Sequence, residues 1–271
     1  MIASPNQTVQ VATDGGVCTI MLNRPAVLNA LDRDMATALG ALTRAAEADD
    51  TIRAVVIRGS GENFMAGGDL KAFSGWLDEM PDRSERRDRF ESFVHEVHPS
   101  ILAITGMPKP VIAGVRGAVA GFGMSLMMAC DLAIAADDSV FTLAYCHIGA
   151  SPDGSSTYTL PRAVGTKRAF EIACLGERFG AQDAKEIGLI NQVVASAELD
   201  TATAGLAARL AAGPTRAYAK TKALLNASAH RRLEDQLAAE AAAFGECAAG
   251  EDFAEGLAAF LAKRPAAFIG S

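Results

Sequence analysis

Sulfur is scarce and unpaired in this chain. Five cysteines (Cys18, Cys130, Cys146, Cys174 and Cys247) are scattered through 271 residues, odd in number and without a Cys-x-x-Cys spacing. That pattern argues against a disulfide framework, offers no cysteine-based metal site, and fits reduced thiols in the cytoplasm. Basic charge is also in short supply: 25 Lys and Arg against 32 Asp and Glu leave a net charge of −7. A nucleic-acid backbone is therefore excluded as a general partner. No apolar run is long enough to cross a bilayer. The first ten residues have neither a basic start nor an apolar core, so no signal peptide is expected. What is abundant is apolar residues, at 50%, with 21% charged. Such a chain is globular and can bury a sizeable core, either as one large domain or as a core with an appendage.

The sequence is organised around Gly117-Ala118-Val119-Ala120-Gly121-Phe122-Gly123, which follows the apolar run Pro110-Val111-Ile112-Ala113-Gly114-Val115. This reads as a buried strand, a glycine-punctuated turn and the start of an apolar helix. First-turn helix amides have no intrahelical acceptor and carry the positive end of the helix dipole. Such a place suits a carbonyl oxygen that becomes negative during a reaction, and the Phe122 amide is the donor it would use. Tight strand–helix packing explains the same glycines without any ligand. Two other motifs fail on a required residue. A dinucleotide fingerprint needs glycine where Leu126 stands, and a serine-hydrolase elbow needs glycine where Met127 stands.

Strands and helices alternate on either side of this stretch. Val9–Val11 and Val17–Leu22 flank Asp14-Gly15-Gly16, a hairpin signal. Asp32 is placed to cap a helix carrying Met35, Leu39 and Leu42 on one face. Ala54–Ile57, Asp131–Ala135 and Asn191–Val194 read as strands, and Phe90, Phe93, Val97 and Ile101 as one helical face. Pro81–Arg89 is a charged stretch, a mobile loop or a helix start. The alternation gives an α/β architecture over residues 1–195, with an Ala-rich, all-helical region over 196–271. The apolar faces of that second region exceed what a small appendage buries alone, so contacts between subunits are expected.

A second glycine cluster, Ala66-Gly67-Gly68-Asp69, follows the strand at 54–57. Small residues there admit a ligand to the backbone, and the Gly68 amide would face that of Phe122. Two donors from separate strand–helix turns are what a developing oxyanion requires. Alone, this stretch is also an ordinary loop.

With both clusters in place, the chain resembles the crotonase family, the enoyl-CoA hydratases and isomerases. The resemblance is carried by Leu22-Asn23-Arg24-Pro25 through Asn29-Ala30-Leu31, by Phe64 to Leu70, by Lys109 to Val115, by Gly117 to Gly123, by Leu160-Pro161-Arg162, by Ala181 to Asn191 and by Glu255-Gly256 to Pro265. It runs in order over nearly the whole chain. It implies a crotonase-like spiral of ββα turns with a helical C-terminal trimerisation region, assembled as a homotrimer or a dimer of trimers. The implied ligand is an acyl-CoA thioester, its carbonyl held by the amides of Gly68 and Phe122. Ala26, Leu28, Ala66 and Lys71 match CoA-contacting positions, and Phe260 and Lys263 would reach a neighbouring subunit's site. Coenzyme A belongs to the substrate, and no metal or redox cofactor is implied.

The chain departs from the hydratases it resembles. Their two water-positioning glutamates fall on Ser125 and Tyr145, neither a useful base near neutral pH. A carboxylate appears instead in Ser151-Pro152-Asp153-Gly154-Ser155, where the family's Δ3,Δ2-enoyl-CoA isomerases carry an acidic residue. Asp153 would then be the base of a double-bond shift, with capping of the helix beginning near Gly154 as the plain alternative. Hydration by a non-standard acid–base group, dehalogenase-like attack by Asp153 and a catalytically silent acyl-CoA-binding oligomer are the competing functions. Tyr145 shapes the acyl pocket or donates a hydrogen bond. His95 and His98 are expected on the surface or rim, His147 is read as structural, and Asp69 and Asp131 as supports for turns.

Overall fold

A computed structural model describes residues 2–271. Strands β1 (Val9–Asp14) and β2 (Val17–Leu22) form the expected antiparallel hairpin, with Val9 opposite Leu22. A short 3-10 turn at Pro25–Val27 leads to α1 (Arg33–Ala48), where the Asp32 carboxylate accepts from the Met35 amide at 2.9 Å. Met35, Leu39 and Leu42 of that helix are buried. After β3 (Ala54–Gly59) come α2 (Leu70–Glu79) and α3 (Arg83–Gly106). The charged stretch from Pro81 is thus the start of a helix, and Asp82 caps it through the amides of Ser84 and Glu85.

The organising stretch holds one element more than its glycines suggest. Between β4 (Val111–Val115) and α4 (Phe122–Ala129), residues Ala118–Ala120 form a strand of their own, β5. There follow β6 (Leu132–Ala136), β7 (Val140–Thr142), α5 (Ser156–Val164), α6 (Thr166–Leu175), β8 (Phe179–Gly180), α7 (Ala181–Glu186) and β9 (Gln192–Val194). Four helices complete the chain: α8 (Leu199–Ala211), α9 (Thr215–Ser228), α10 (Leu233–Ala248) and α11 (Glu251–Leu261).

Two sheets result. The larger runs β1-β2-β3-β4-β6-β9 and is parallel except at the hairpin; the smaller runs β5-β7-β8. Strands β3 and β4 read as unbroken apolar runs because both their faces are covered. Successive side chains point to opposite faces. Val55, Ile57, Val111 and Ala113 accordingly join α1 and α3 in the main core, while Val56 and Ile112 pack against Ala207 of α8. On the later helices Leu225, Leu233, Phe244, Phe260 and Leu261 stand between 66% and 81% exposed in the single chain.

Two buried lysines tie helices to the sheet. The Lys109 ammonium donates to the carbonyls of Ala46 and Asp49 at 2.9 and 2.8 Å, closing the end of α1. Lys222 donates to Ile104 of α3 at 2.7 Å and to the Asp131 carboxylate at 2.8 Å. That carboxylate also takes the Val111 amide at 2.8 Å, so Asp131 supports the start of β4. Burial pushes the Asp131 carboxyl up, and the Lys222 charge pulls it back toward ionisation. Removing one member of a buried pair strands the other. Lys222→Met is therefore expected to cost about 3 kcal/mol in urea unfolding. Glu96→Gln, which breaks the exposed pair with Arg33, should stay within about 1 kcal/mol.

Candidate active site

The two glycine clusters lie side by side. Residues 63–66 run parallel to β5, the Phe64 amide donating to Arg116 at 2.9 Å and the Met65 amide to Ala118 at 3.0 Å. The Ala120 amide returns a bond to Met65 at 2.9 Å, which places Met65 beside Val119. Counting on equally along both segments reaches Gly68 on one and Phe122 on the other. Their closeness is measurable at the preceding residue, since a Cβ on Gly67 would lie 3.6 Å from the Phe122 amide nitrogen. Neither the Gly68 nor the Phe122 amide donates to a backbone acceptor among the described residues. Gly123 is demanded by a main-chain contact, and Gly68 stands against a ring. A side chain at Gly123 would come within 2.4 Å of the Met65 carbonyl, and one at Gly68 within 2.6 Å of the Phe73 ring.

That ring is part of the wall of a cleft of roughly 760 Å³, lined among others by Phe90, Phe93, His98, Tyr145 and Asp153. Gly154 connects the cleft to the amides, because a Cβ there would meet the Phe122 ring at 2.7 Å. The half-buried Asp153 carboxylate accepts a hydrogen bond from the Tyr145 hydroxyl. Its backbone carbonyl takes the hydroxyls of Ser125 at 2.9 Å and Ser156 at 2.8 Å. The carboxylate does not cap α5, whose N-cap is Ser155 without a side-chain bond. Ser125 and Tyr145 thus both hold Asp153 in place, one at its main chain and one at its side chain. Burial pushes the Asp153 carboxyl up from the ordinary carboxylate range, opposed by the Tyr145 hydrogen bond and by His98. Burial and the facing Asp153 charge push the Tyr145 phenol far up, so Tyr145 stays a proton-bearing donor.

The other residues marked in the sequence fall into two groups. Ala66 donates its amide to the Leu28 carbonyl at 3.0 Å, which joins the loop of Ala26 and Leu28 to the Gly68 segment. Lys71, exposed, opens α2 on the same segment, its amide on the Asp69 carboxylate at 3.2 Å. Burial alone would raise Asp69, but Arg24 at 3.0 Å and the α2 amides hold it below the carboxylate range. Phe260 and Lys263 stand at the end of α11 and are not among the residues lining the cleft. His147 bonds the Gly176 carbonyl at 3.0 Å, a structural contact. His95 and His98, rings 5.1 Å apart, both line the cleft with Asp153. The signal for them was the spacing Phe90, Val94, His98, one stripe of α3 that turns toward the cleft.

Two sheets covered by helices, with two adjacent strand–helix turns whose Gly68 and Phe122 amides have no backbone acceptor among the described residues, form an arrangement able to hold an oxygen that gains negative charge. A family model described as "Enoyl-CoA hydratase/isomerase" matches residues 12–271, and the chain belongs to that family, the crotonases. It is 38% identical over 263 residues to a "Probable enoyl-CoA hydratase" of Rhodobacter capsulatus, covering 97% of this chain and 98% of that one. Over 256 residues it is 36% identical to the 1,2-epoxyphenylacetyl-CoA isomerase of Escherichia coli, covering 94% and 95%. An enoyl-CoA hydratase structure from Polaromonas superposes with a TM-score of 0.89 at 34% identity, covering 96% and 99%. No helix among the described residues is long and apolar enough to cross a membrane.

Two measurements follow from the cleft. A carboxyl whose folded pKa lies above its unfolded value near 4 makes stability fall as pH rises through the interval between the two. Asp153→Asn removes that dependence. The stability gap between variant and wild type should therefore widen in favour of the variant from pH 4 to pH 7 in thermal melts. Ser155 has φ +74°, and its hydroxyl is buried without a partner. Ser155→Gly should therefore stabilise the fold by about 1 kcal/mol in denaturant titration.

Proposed function

We propose that this chain is an enoyl-CoA isomerase that moves a double bond through an enolate, with Asp153 as its base. The carrying observation is the half-buried Asp153 carboxylate, held by Tyr145 in the cleft beside the two amide-bearing turns. Glu91, the other acidic residue lining the cleft, is exposed and paired with Arg87 and His95. In this reading the Gly68 and Phe122 amides take the thioester carbonyl, and negative charge develops on its oxygen as the α-proton leaves. Such a donor contributes on the order of 3 kcal/mol to lowering the barrier. Asp153 receives that proton from the carbon next to the thioester of a 3-enoyl-CoA and delivers it to the γ-carbon, giving the 2-enoyl-CoA. One carboxylate suffices because the proton leaves and returns on one face of a flat dienolate. The raised Asp153 pKa makes it a better base than a free carboxylate. The Tyr145 hydroxyl occupies Oδ1 and leaves Oδ2 for the substrate. Hydration through paired glutamates lacks its carboxylates, because Ser125 and Tyr145 stand at those positions.

The cleft also favours an acyl group carrying an aromatic ring, because Phe73, Phe90, Phe93 and Tyr145 line it together. Aromatic rings prefer edge-to-face neighbours, and Phe73 already meets Phe90 and Phe93 at 80° and 74°. Within this reading the exposed faces of α9, α10 and α11 are contacts between copies of the chain in a trimer. Phe260 and Lys263 there extend to a neighbour's coenzyme A, beyond Ala26, Leu28, Ala66 and Lys71 of the same copy.

In heavy water, wild type is expected to convert a 3-enoyl-CoA to the 2-enoyl-CoA with deuterium entering at the α- and γ-carbons. Asp153→Ala should lose roughly 10²- to 10⁴-fold in that exchange. Unchanged turnover in the variant removes Asp153 as the base, and binding without exchange in wild type favours a silent scaffold. A 4-phenyl-3-butenoyl thioester should outpace 3-hexenoyl-CoA in kcat/KM, and Phe90→Ala should narrow the difference.

A further inference from the structure

Asn29 is a wholly buried polar side chain that reaches the loops after both β2 and β3. Its Oδ1 accepts from the Arg24 amide at 2.8 Å, and its Nδ2 donates to the carbonyls of Ser60 at 3.0 Å and Asn63 at 2.8 Å. Asn63 passes the link on, because its own Oδ1 accepts from the Ala118 amide of β5 at 2.9 Å. Two asparagines therefore connect the loop after β2, the segment that leads to Gly68 and the strand that leads to Phe122. Around them the backbone is bonded on both sides of residues 64–69. Leu31 donates to Gly67 at 2.7 Å and Asp69 to Leu31 at 2.9 Å on one side, and Met65 bonds Ala118 on the other.

The conformation at Asn29 is a costly one. Leu28 and Asn29 are consecutive residues with φ of 54° and 55°, a left-handed pair without glycine. Strain of this kind persists only where surroundings over-determine it, and it collects at sites whose geometry must be held. Gly59 completes the fit, since a Cβ there would stand 2.8 Å from the Asn29 Nδ2.

We infer that Asn29 is a positioning residue: through Asn63 it sets the register between the Gly68 segment and β5, and with it the aim of the two amides at one thioester oxygen. The inference rests on the amide-pair reading above and adds the part that keeps the pair in register. A misplacement of about 1 Å at such a pair costs on the order of 10²-fold in rate. Asn29 does not line the cleft, so the walls around the acyl chain are left in place, while the loop of Ala26 and Leu28 that it anchors is not.

The test uses the full-length protein and cinnamoyl-CoA labelled with carbon-13 at the thioester carbonyl, followed by infrared difference spectroscopy. Wild type should shift the carbonyl stretch to lower frequency. Asn29→Gly, which tolerates the positive φ, and Asn29→Asp, which keeps the bond to Arg24, should both bind the ligand and lose most of that shift. In both, kcat should fall about 10²-fold. Asn63→Ala breaks the next link from the other side and should give the same signature, so the reading survives an Asn29 variant that does not fold. A full shift and unaltered kcat in Asn29→Gly and Asn63→Ala overturn the role of Asn29 and leave the amide pair standing. No shift in wild type overturns the amide pair itself, and the positioning role with it.

Discussion

Everything at this site depends on the register between residues 63–68 and β5. Two parallel segments that pair Met65 with Val119, through the bonds of Met65 to Ala118 and Ala120, must end level for their amides to stand together. A slide of one residue would turn one of the two amides away. The fold holds that register with small residues rather than large ones. Gly123 lets α4 press on the Met65 carbonyl, and Gly68 lets the Phe73 ring close over the turn. At Gly123 main chain approaches main chain, which only glycine permits.

The carboxylate is a second constraint built on the first. Asp153 follows a loop whose carbonyl is clasped by Ser125 of α4, the same helix that begins with Phe122. A shift of α4 therefore moves the Phe122 amide and Asp153 together. Burial raises Asp153 while Tyr145 opposes the rise, which leaves a carboxyl shielded from water with one oxygen occupied. Such a group combines two demands that conflict in solution, a higher basicity and a fixed direction.

Much of this was legible in the residues. The hairpin, the Asp32 cap, the buried strands and the two glycine clusters each rest on local chemistry, and local chemistry is what one sequence carries. Asp153 was visible from its place in the family's pattern. What escaped notice depends on where elements face. β5 hid among glycines and alanines, because a three-residue strand of small side chains has no period to detect. His95 and His98 read as surface or rim residues of α3, and they stand on the rim of the cleft, but the cleft they border could not be read from the sequence. The bond from Tyr145 to Asp153 needed the 3-10 turn at Tyr145–Ile148, which no pattern marks. Asn29 read as part of a motif, but its reach across two loops is a property of three dimensions.

The buried lysine at the end of α1 has a further meaning for a protein that handles thioesters. An amine whose pKa is lowered is more often uncharged, and an uncharged amine is the nucleophile that cleaves a thioester to an amide. Burial lowers Lys109 in this way. The same burial leaves it 3% exposed, with its nitrogen bonded to Ala46 and Asp49. A lysine held in this way is closed to an acyl group, and the chain is spared acylation at its own helix anchor.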